Sequence, residues 1–171
     1  MKPIFRTLLT VLALVAGSSA NAALFERSTA NLQDEAHAAA RDGKLLAVLL
    51  TLPDCPGCIE MEHTVHANPA TAKALARQFR TVRLDIASPA PIADGDGKPT
   101  SGPELARRLK AIATPSYAFF DGHGRFLYRY TGTLNAAEFR KLGSYVARGE
   151  YEQRPFDGRP AADRHAGHDH H

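Results

Sequence analysis

The chain has two cysteines, Cys55 and Cys58, and they follow a solid apolar run, Leu45-Leu46-Ala47-Val48-Leu49-Leu50. An uninterrupted run of this kind, set over Lys44 to Thr51, reads as a strand buried on both faces. Thr51-Leu52-Pro53-Asp54 is a short turn, and Ile59 to Ala67 reads as a helix. A strand that hands its chain to a helix in this way puts Cys55 beside helical N–H groups that have no partner. Those groups and the positive end of the helix dipole favour an anion. First cysteines of C-x-x-C motifs titrate at roughly 3.5–7.5, against about 8.5 for an ordinary thiol. Cys58 lies one turn further on, near enough to close a ring with Cys55. The pattern therefore predicts a thiol–disulfide redox centre. A structural disulfide is the alternative, but the loop it closes is very small and a domain of this length does not need a staple.

The first residues predict where this chemistry takes place. Lys2 and Arg6 precede an apolar stretch from Thr7 to Gly17, followed by Ser18-Ser19-Ala20-Asn21-Ala22. A basic start, a short apolar stretch and small residues at Ala20 and Ala22 make residues 1–22 a secretory signal peptide. The apolar run falls short of the roughly 20 residues that a bilayer span requires. The expected location is periplasmic or secreted. Loss of Lys2 and Arg6 leaves 19 basic against 18 acidic residues. With no basic block and no basic patch interleaved with aromatics, nucleic acid is not an expected partner.

The remainder, residues 23–157, reads as one α/β domain of alternating elements. Asn31 to Arg41 is a short amphipathic helix on Leu32, Ala36, Ala39 and Ala40, stopped by Gly43. Asn68 and Pro69 restart a helix with Ala72, Leu75, Ala76 and Phe79 along one stripe. Thr81 to Ile86 alternates as a strand does. Ala87 to Thr100 reads as a long loop, and Ser101 with Glu104 as a capping box for a helix bearing Leu105, Leu109 and Ile112. Ser116–Asp121 and Arg125–Tyr130 form a hairpin around Asp121-Gly122. Asn135 and Glu138 cap a last helix with Phe139, Leu142 and Val146 inward, and Gly143 there implies a close packing contact.

With these elements in order, the sequence resembles the thioredoxin-fold family from about Ala30 to Gly149. Cys55-Pro56-Gly57-Cys58 follows the first strong strand, and Thr114-Pro115 stands just before the hairpin, where that family keeps a cis-proline. Phe119-Phe120-Asp121-Gly122, Tyr128-Arg129-Tyr130-Thr131-Gly132, and Tyr151 with Phe156 resemble more closely the exported SoxW-type thioredoxins of sulfur-oxidation gene clusters. The resemblance implies a central mixed sheet with helices on both faces. It implies Cys55 as the attacking thiolate, Cys58 as the resolving thiol, and Thr114 and Pro115 as the substrate-binding pair. It implies a redox-active disulfide with no other cofactor required. The implied substrate is a protein disulfide or a sulfur carrier, and the implied reductant is a membrane electron transporter.

Three departures from the family pattern bear on the mechanism. Asp54 stands where a tryptophan is usual, and the chain has no tryptophan. The dipeptide between the cysteines is Pro56-Gly57 instead of Gly-Pro. Leu49 occupies the place of a buried acid six residues before the first cysteine. Asp54 or Glu60, or water, is left as proton acceptor for Cys58. A carboxylate at Asp54 also opposes ionisation of Cys55 by like charge.

Two metal readings compete with the redox one. Cys55, Cys58, His63 and His66 have a zinc-like spacing, but on a regular helix His63 points away from the face that holds Cys58, Met61 and Val65. His63 and His66 are expected at the surface or rim, and His37 and His123 on an exposed helix face and turn. The end of the chain, residues 158–171, is polar and tail-like. His165, His168, His170 and His171 hold half of the eight histidines within the last seven residues. Neutral imidazoles there are candidate ligands for a transition metal such as copper, nickel or zinc, in a metal-binding or metal-delivery role. The plainer alternative is a solvated terminus.

Overall fold

In a computed structural model describing residues 24–158, Leu45–Thr51 forms strand β1, and its five central residues are buried. The expected signal peptide and the four tail histidines lie outside the described residues. Strand β1 pairs in parallel with β2 (Phe79–Asp85) and antiparallel with β5 (Ser116–Phe120). Strand β5 pairs with β6 (Phe126–Thr131), giving the order β2-β1-β5-β6. Because successive side chains of a strand point to opposite faces, β1 feeds two cores. Leu46, Val48 and Leu50 meet Val82, Leu84, Ala118 and Phe120 beneath helices α1 (Leu32–Arg41) and α4 (Gly102–Arg108). Ala47 and Leu49 meet Tyr117 and Phe119 beneath the cysteine helix α2 (Pro56–Met61), α3 (Pro69–Gln78) and α5 (Ala136–Ala147). This is the mixed sheet with helices on both faces that the sequence implied.

Three of the helix-start signals carried by neighbouring residues are realised. Asn31, Asn68 and Asn135 each accept the N–H three residues on, and Glu138 returns a contact to the Asn135 N–H to complete a capping box. A Cβ on Gly143 would lie 2.8 Å from Leu75 Cδ1, so the lack of a side chain is what lets α5 approach α3. Tyr151 and Phe156 pack against this side of the core.

Five readings are corrected. Residues 87–100 are no open loop: Pro91–Ala93 (β3) and Pro99–Ser101 (β4) form a small hairpin around a turn held by Asp94, whose Oδ1 accepts the N–H groups of Asp96 and Lys98. Strands of three residues bounded by proline are too short to show alternation. Ser101 makes no side-chain cap, and Glu104 instead accepts the Thr100 hydroxyl. Ile112 is 90 % exposed, because helix α4 ends at Arg108 and Lys110 takes a left-handed φ of 53°. Ala76 is exposed.

The correction with most consequence concerns His66. After α2 the chain makes a π-helical turn, Glu62–His66, in which the Ala67 N–H reaches back five residues to the Glu62 carbonyl (3.0 Å). A wider turn brings Met61 and His66, five apart, onto one side, where a regular helix would separate them. His66 is 1 % exposed and its Nε2 lies 2.9 Å from the Tyr117 hydroxyl. Phe25 and Phe139 pack against it with tilted rings, centroids at 4.9 and 5.4 Å. Burial, aided by the charge of Arg83, pushes the imidazole down to about 4. The contact ties the end of the cysteine helix to β5.

A second buried polar group holds the start of β5. The Ser116 hydroxyl donates to the Ala113 carbonyl (2.7 Å) and lies 2.7 Å from the Thr131 hydroxyl, which also accepts from Arg129 Nη1 (2.8 Å). The side chain of Ser116 thereby clamps the backbone on both sides of Thr114-Pro115.

Two predictions follow from these contacts. His66 is depressed in the folded state, so between about pH 6.5 and 4 the unfolded chain binds more protons. Stability is therefore lost as pH falls through that window, by roughly 3 kcal/mol from this group. Denaturant titration should show the loss in the native chain, and the double substitution His66→Phe/Tyr117→Phe should flatten it at little cost near pH 8, since both polar partners leave together. Ser116→Ala should cost about 1–3 kcal/mol by leaving a buried carbonyl and hydroxyl short of a partner, whereas Ser116→Thr should retain most of that stability in the same titration.

Candidate active site

Strand β1 ends at Thr51, and the chain turns through Leu52-Pro53-Asp54 with Asp54 in a left-handed conformation (φ 55°). Cys55 then caps α2: its backbone is extended, and its Sγ accepts the Cys58 N–H at 3.2 Å. Pro56 occupies the first helical position, where a missing N–H costs nothing. Cys55 and Cys58 are joined as a disulfide with Cα atoms 5.2 Å apart. Both residues are buried, Cys55 at 7 % exposure and Cys58 at 4 %.

Thr114 and Pro115 arrive from the other side. The bond between them is cis, and β5 begins immediately after it. Gly57 sits directly against this peptide: a Cβ there would lie 3.1 Å from Pro115 Cδ and 3.4 Å from Thr133 Cγ2. Elements far apart in sequence thus bring the cysteine turn and Thr114-Pro115 together, and the missing Gly57 side chain permits the contact. Leu52, Ile59 and Ile112 are large apolar side chains left exposed; Leu52 and Ile59 flank the cysteine turn, and Ile112 shortly precedes Thr114-Pro115.

Beside the disulfide runs a groove of about 330 Å³, and its lining includes Asp54, Cys55, Cys58, Glu62, Arg83 and Asp85. Leu49 is fully buried and stands opposite Arg83 in the parallel register of β1 and β2. Arg83 Nη2 lies 3.5 Å from Glu62 Oε2, while its Nε is buried without a hydrogen-bond partner among the described residues. Of the two carboxylates considered from the sequence, Asp54 borders the groove and Glu60 does not. Glu62 and Arg83 were missed. Their signals were present but weak: Glu62 follows Cys58 by one helical turn, and Arg83 occupies a polar slot in an alternating strand whose register the sequence does not reveal.

The zinc-like spacing does not converge. Cys55 and Cys58 bond to each other, His66 is committed to Tyr117, and His63 is exposed. Among the described residues no group of three or more His, Cys, Asp or Glu is placed to hold a metal ion. His37 and His123 are exposed. No helix among the described residues is long and apolar enough to cross a membrane.

Comparison with known proteins agrees with this architecture. The solved structures similar to the chain include a thioredoxin from Thermus thermophilus, 23 % identical over 85 % of this chain and 98 % of the other, with a TM-score of 0.56. A putative disulphide-isomerase from Bacteroides thetaiotaomicron is 22 % identical over 78 % and 98 %, with a TM-score of 0.59. The DsbH oxidoreductase is 18 % identical over 88 % and 96 %, with a TM-score of 0.53. No curated protein matches the sequence. The model of the thioredoxin-like domain family matches residues 32–147, from the first helix through the last and across the whole candidate site, and the chain belongs to that family.

Proposed function

We propose that the protein is an exported thiol–disulfide oxidoreductase that works as a reductase through Cys55 and Cys58. The observation that carries this reading is the juxtaposition at the site: a disulfide at the start of the cysteine helix, pressed through Gly57 against Thr114-Pro115. In the reduced protein the Cys55 thiolate attacks a substrate disulfide. The substrate S–S bond breaks, a Cys55–substrate disulfide forms, and the first substrate thiolate leaves. Cys58 then loses its proton and attacks Cys55 Sγ, which closes the internal disulfide and releases the second substrate thiol. Two electrons pass from the protein to the substrate. The backbone at Thr114, beside the disulfide, and the exposed apolar side chains of Leu52, Ile59 and Ile112 suit an extended protein segment as substrate.

Export rests on the signal-like residues 1–22. In an oxidising compartment a reductase has to be recharged, and the proposed donor is a membrane electron transporter. The proposed substrate is a protein disulfide or a sulfur-carrier cysteine, the latter on the resemblance of short segments to SoxW-type thioredoxins. A separate metal-binding function for His165, His168, His170 and His171 is supported by their density alone.

Three measurements test these readings. The equilibrium potential of the Cys55/Cys58 couple against glutathione should lie near about −270 mV for a reductant, and a value near about −120 mV would make the protein an oxidant. Cys58→Ser should trap its partner as a covalent adduct that reductant releases, and Cys55→Ser should trap none; adducts through Cys58 would reverse the roles. Deleting residues 158–171 should abolish copper, nickel or zinc retention by the chain, and unchanged retention would end the metal reading.

A further inference from the structure

The buried thiol of the pair needs an acceptor for its proton, and strand β1 supplies none. Cys58 is almost fully covered, and Leu49, at the position where the family pattern has a buried acid, is apolar. The ionisable groups around the groove beside Cys58 are Asp54 and Cys55 in the turn, Glu62 on the continuing helix, and Arg83 and Asp85 on β2. Asp85 Oδ1 is engaged by the Ala87 N–H at 2.8 Å. Asp54 precedes Cys55 and is exposed, as Glu62 is, but it makes no ion pair among the described residues. Glu62 follows Cys58 by four residues, so the two side chains lie along one face of the helix. Its carboxylate is the one next to Arg83, whose buried Nε–H has no partner among the described residues.

We propose that Glu62, positioned by Arg83, takes the proton of Cys58 in place of the strand carboxylate that Leu49 cannot provide. The inference rests on the disulfide-exchange reading above. In the closing step the Cys58 S–H bond breaks and its proton passes to the Glu62 carboxylate, directly or through solvent in the groove. The sulfur bonds to Cys55 Sγ, the Cys55–substrate bond breaks, and its electron pair leaves on the substrate thiolate, which is then protonated by Glu62 or solvent. Arg83 holds the carboxylate at the groove and offers a fixed positive charge to the sulfur as it ionises. In the opposite direction, protonated Glu62 delivers the proton as the internal disulfide opens.

The test uses the reduced full chain mixed with oxidised glutathione, acid-quenched at intervals and resolved by mass between pH 5 and 9. Glu62→Gln should slow closure by about 10²-fold at pH 7, accumulate the Cys55–glutathione adduct, and remove the proton-acceptor limb of the closure profile. Glu62→Asp should recover part of the rate. Arg83→Met should move the profile in the same direction, with Arg83→Lys close to the native chain. Alkylation of Cys55 by iodoacetamide, measured in a Cys58→Ser background, should change less than threefold on adding Glu62→Gln. An unchanged closure rate and profile in Glu62→Gln would overturn the proposal, as would finding that Asp54→Asn or Asp85→Asn removes the limb instead. If the native chain forms neither an adduct nor a closed disulfide from its reduced state, the exchange reading itself fails.

Discussion

The burial of β1 on both faces is the constraint on which the rest of the protein depends. A strand with no solvent face has to be covered twice, and its alternating side chains therefore divide the domain into two cores, one under α1 and α4 and one under α2, α3 and α5. Burial of apolar area is worth about 25 cal/mol per Å², and here it fixes the position of a strand whose end carries Cys55. The cysteine turn is thereby held to the sheet at one end. The His66–Tyr117 contact at the other end of the cysteine helix links it to β5, the strand that carries Pro115 just ahead of it.

This arrangement explains how a chain lacking two familiar features of its family still builds the site. Without a tryptophan before Cys55, the chain turns at Asp54, one of the residue types that tolerate a left-handed backbone. Without a carboxylate at Leu49, the polar groups of the groove come from the helix and from the neighbouring strand, as Glu62 and Arg83. The reversed Pro56-Gly57 dipeptide has a steric consequence: proline takes the first helical position, and glycine takes the position where any side chain would meet Pro115.

A single wide turn allows a histidine to enter an aromatic core and satisfy its polar nitrogen on a tyrosine, a costly placement without that partner. It also ends the cysteine helix and precedes the Asn68-Pro69 restart, so that α3 can lie against α5 where Gly143 leaves room. Stability at acidic pH and placement of the site are thus linked through one side chain.

By itself the sequence determined what depends on near neighbours and on period. The buried strand, the C-x-x-C at a helix start, the asparagine caps at positions 31, 68 and 135, the aromatic hairpin and the inward face of the last helix were all legible, since each is decided within a few residues. Only the tertiary structure decided what depends on register and on contacts distant in the chain. Parallel pairing placed Leu49 opposite Arg83, a π-turn rotated His66 inward, and the early end of α4 left Ile112 in solvent. Two local readings also failed: the Thr100 hydroxyl engaged Glu104 in place of a capping box at Ser101, and the hairpin at 91–101 was too short to show alternation. A local pattern fixes which residues form an element, but packing against partners far along the chain sets which way each side chain faces.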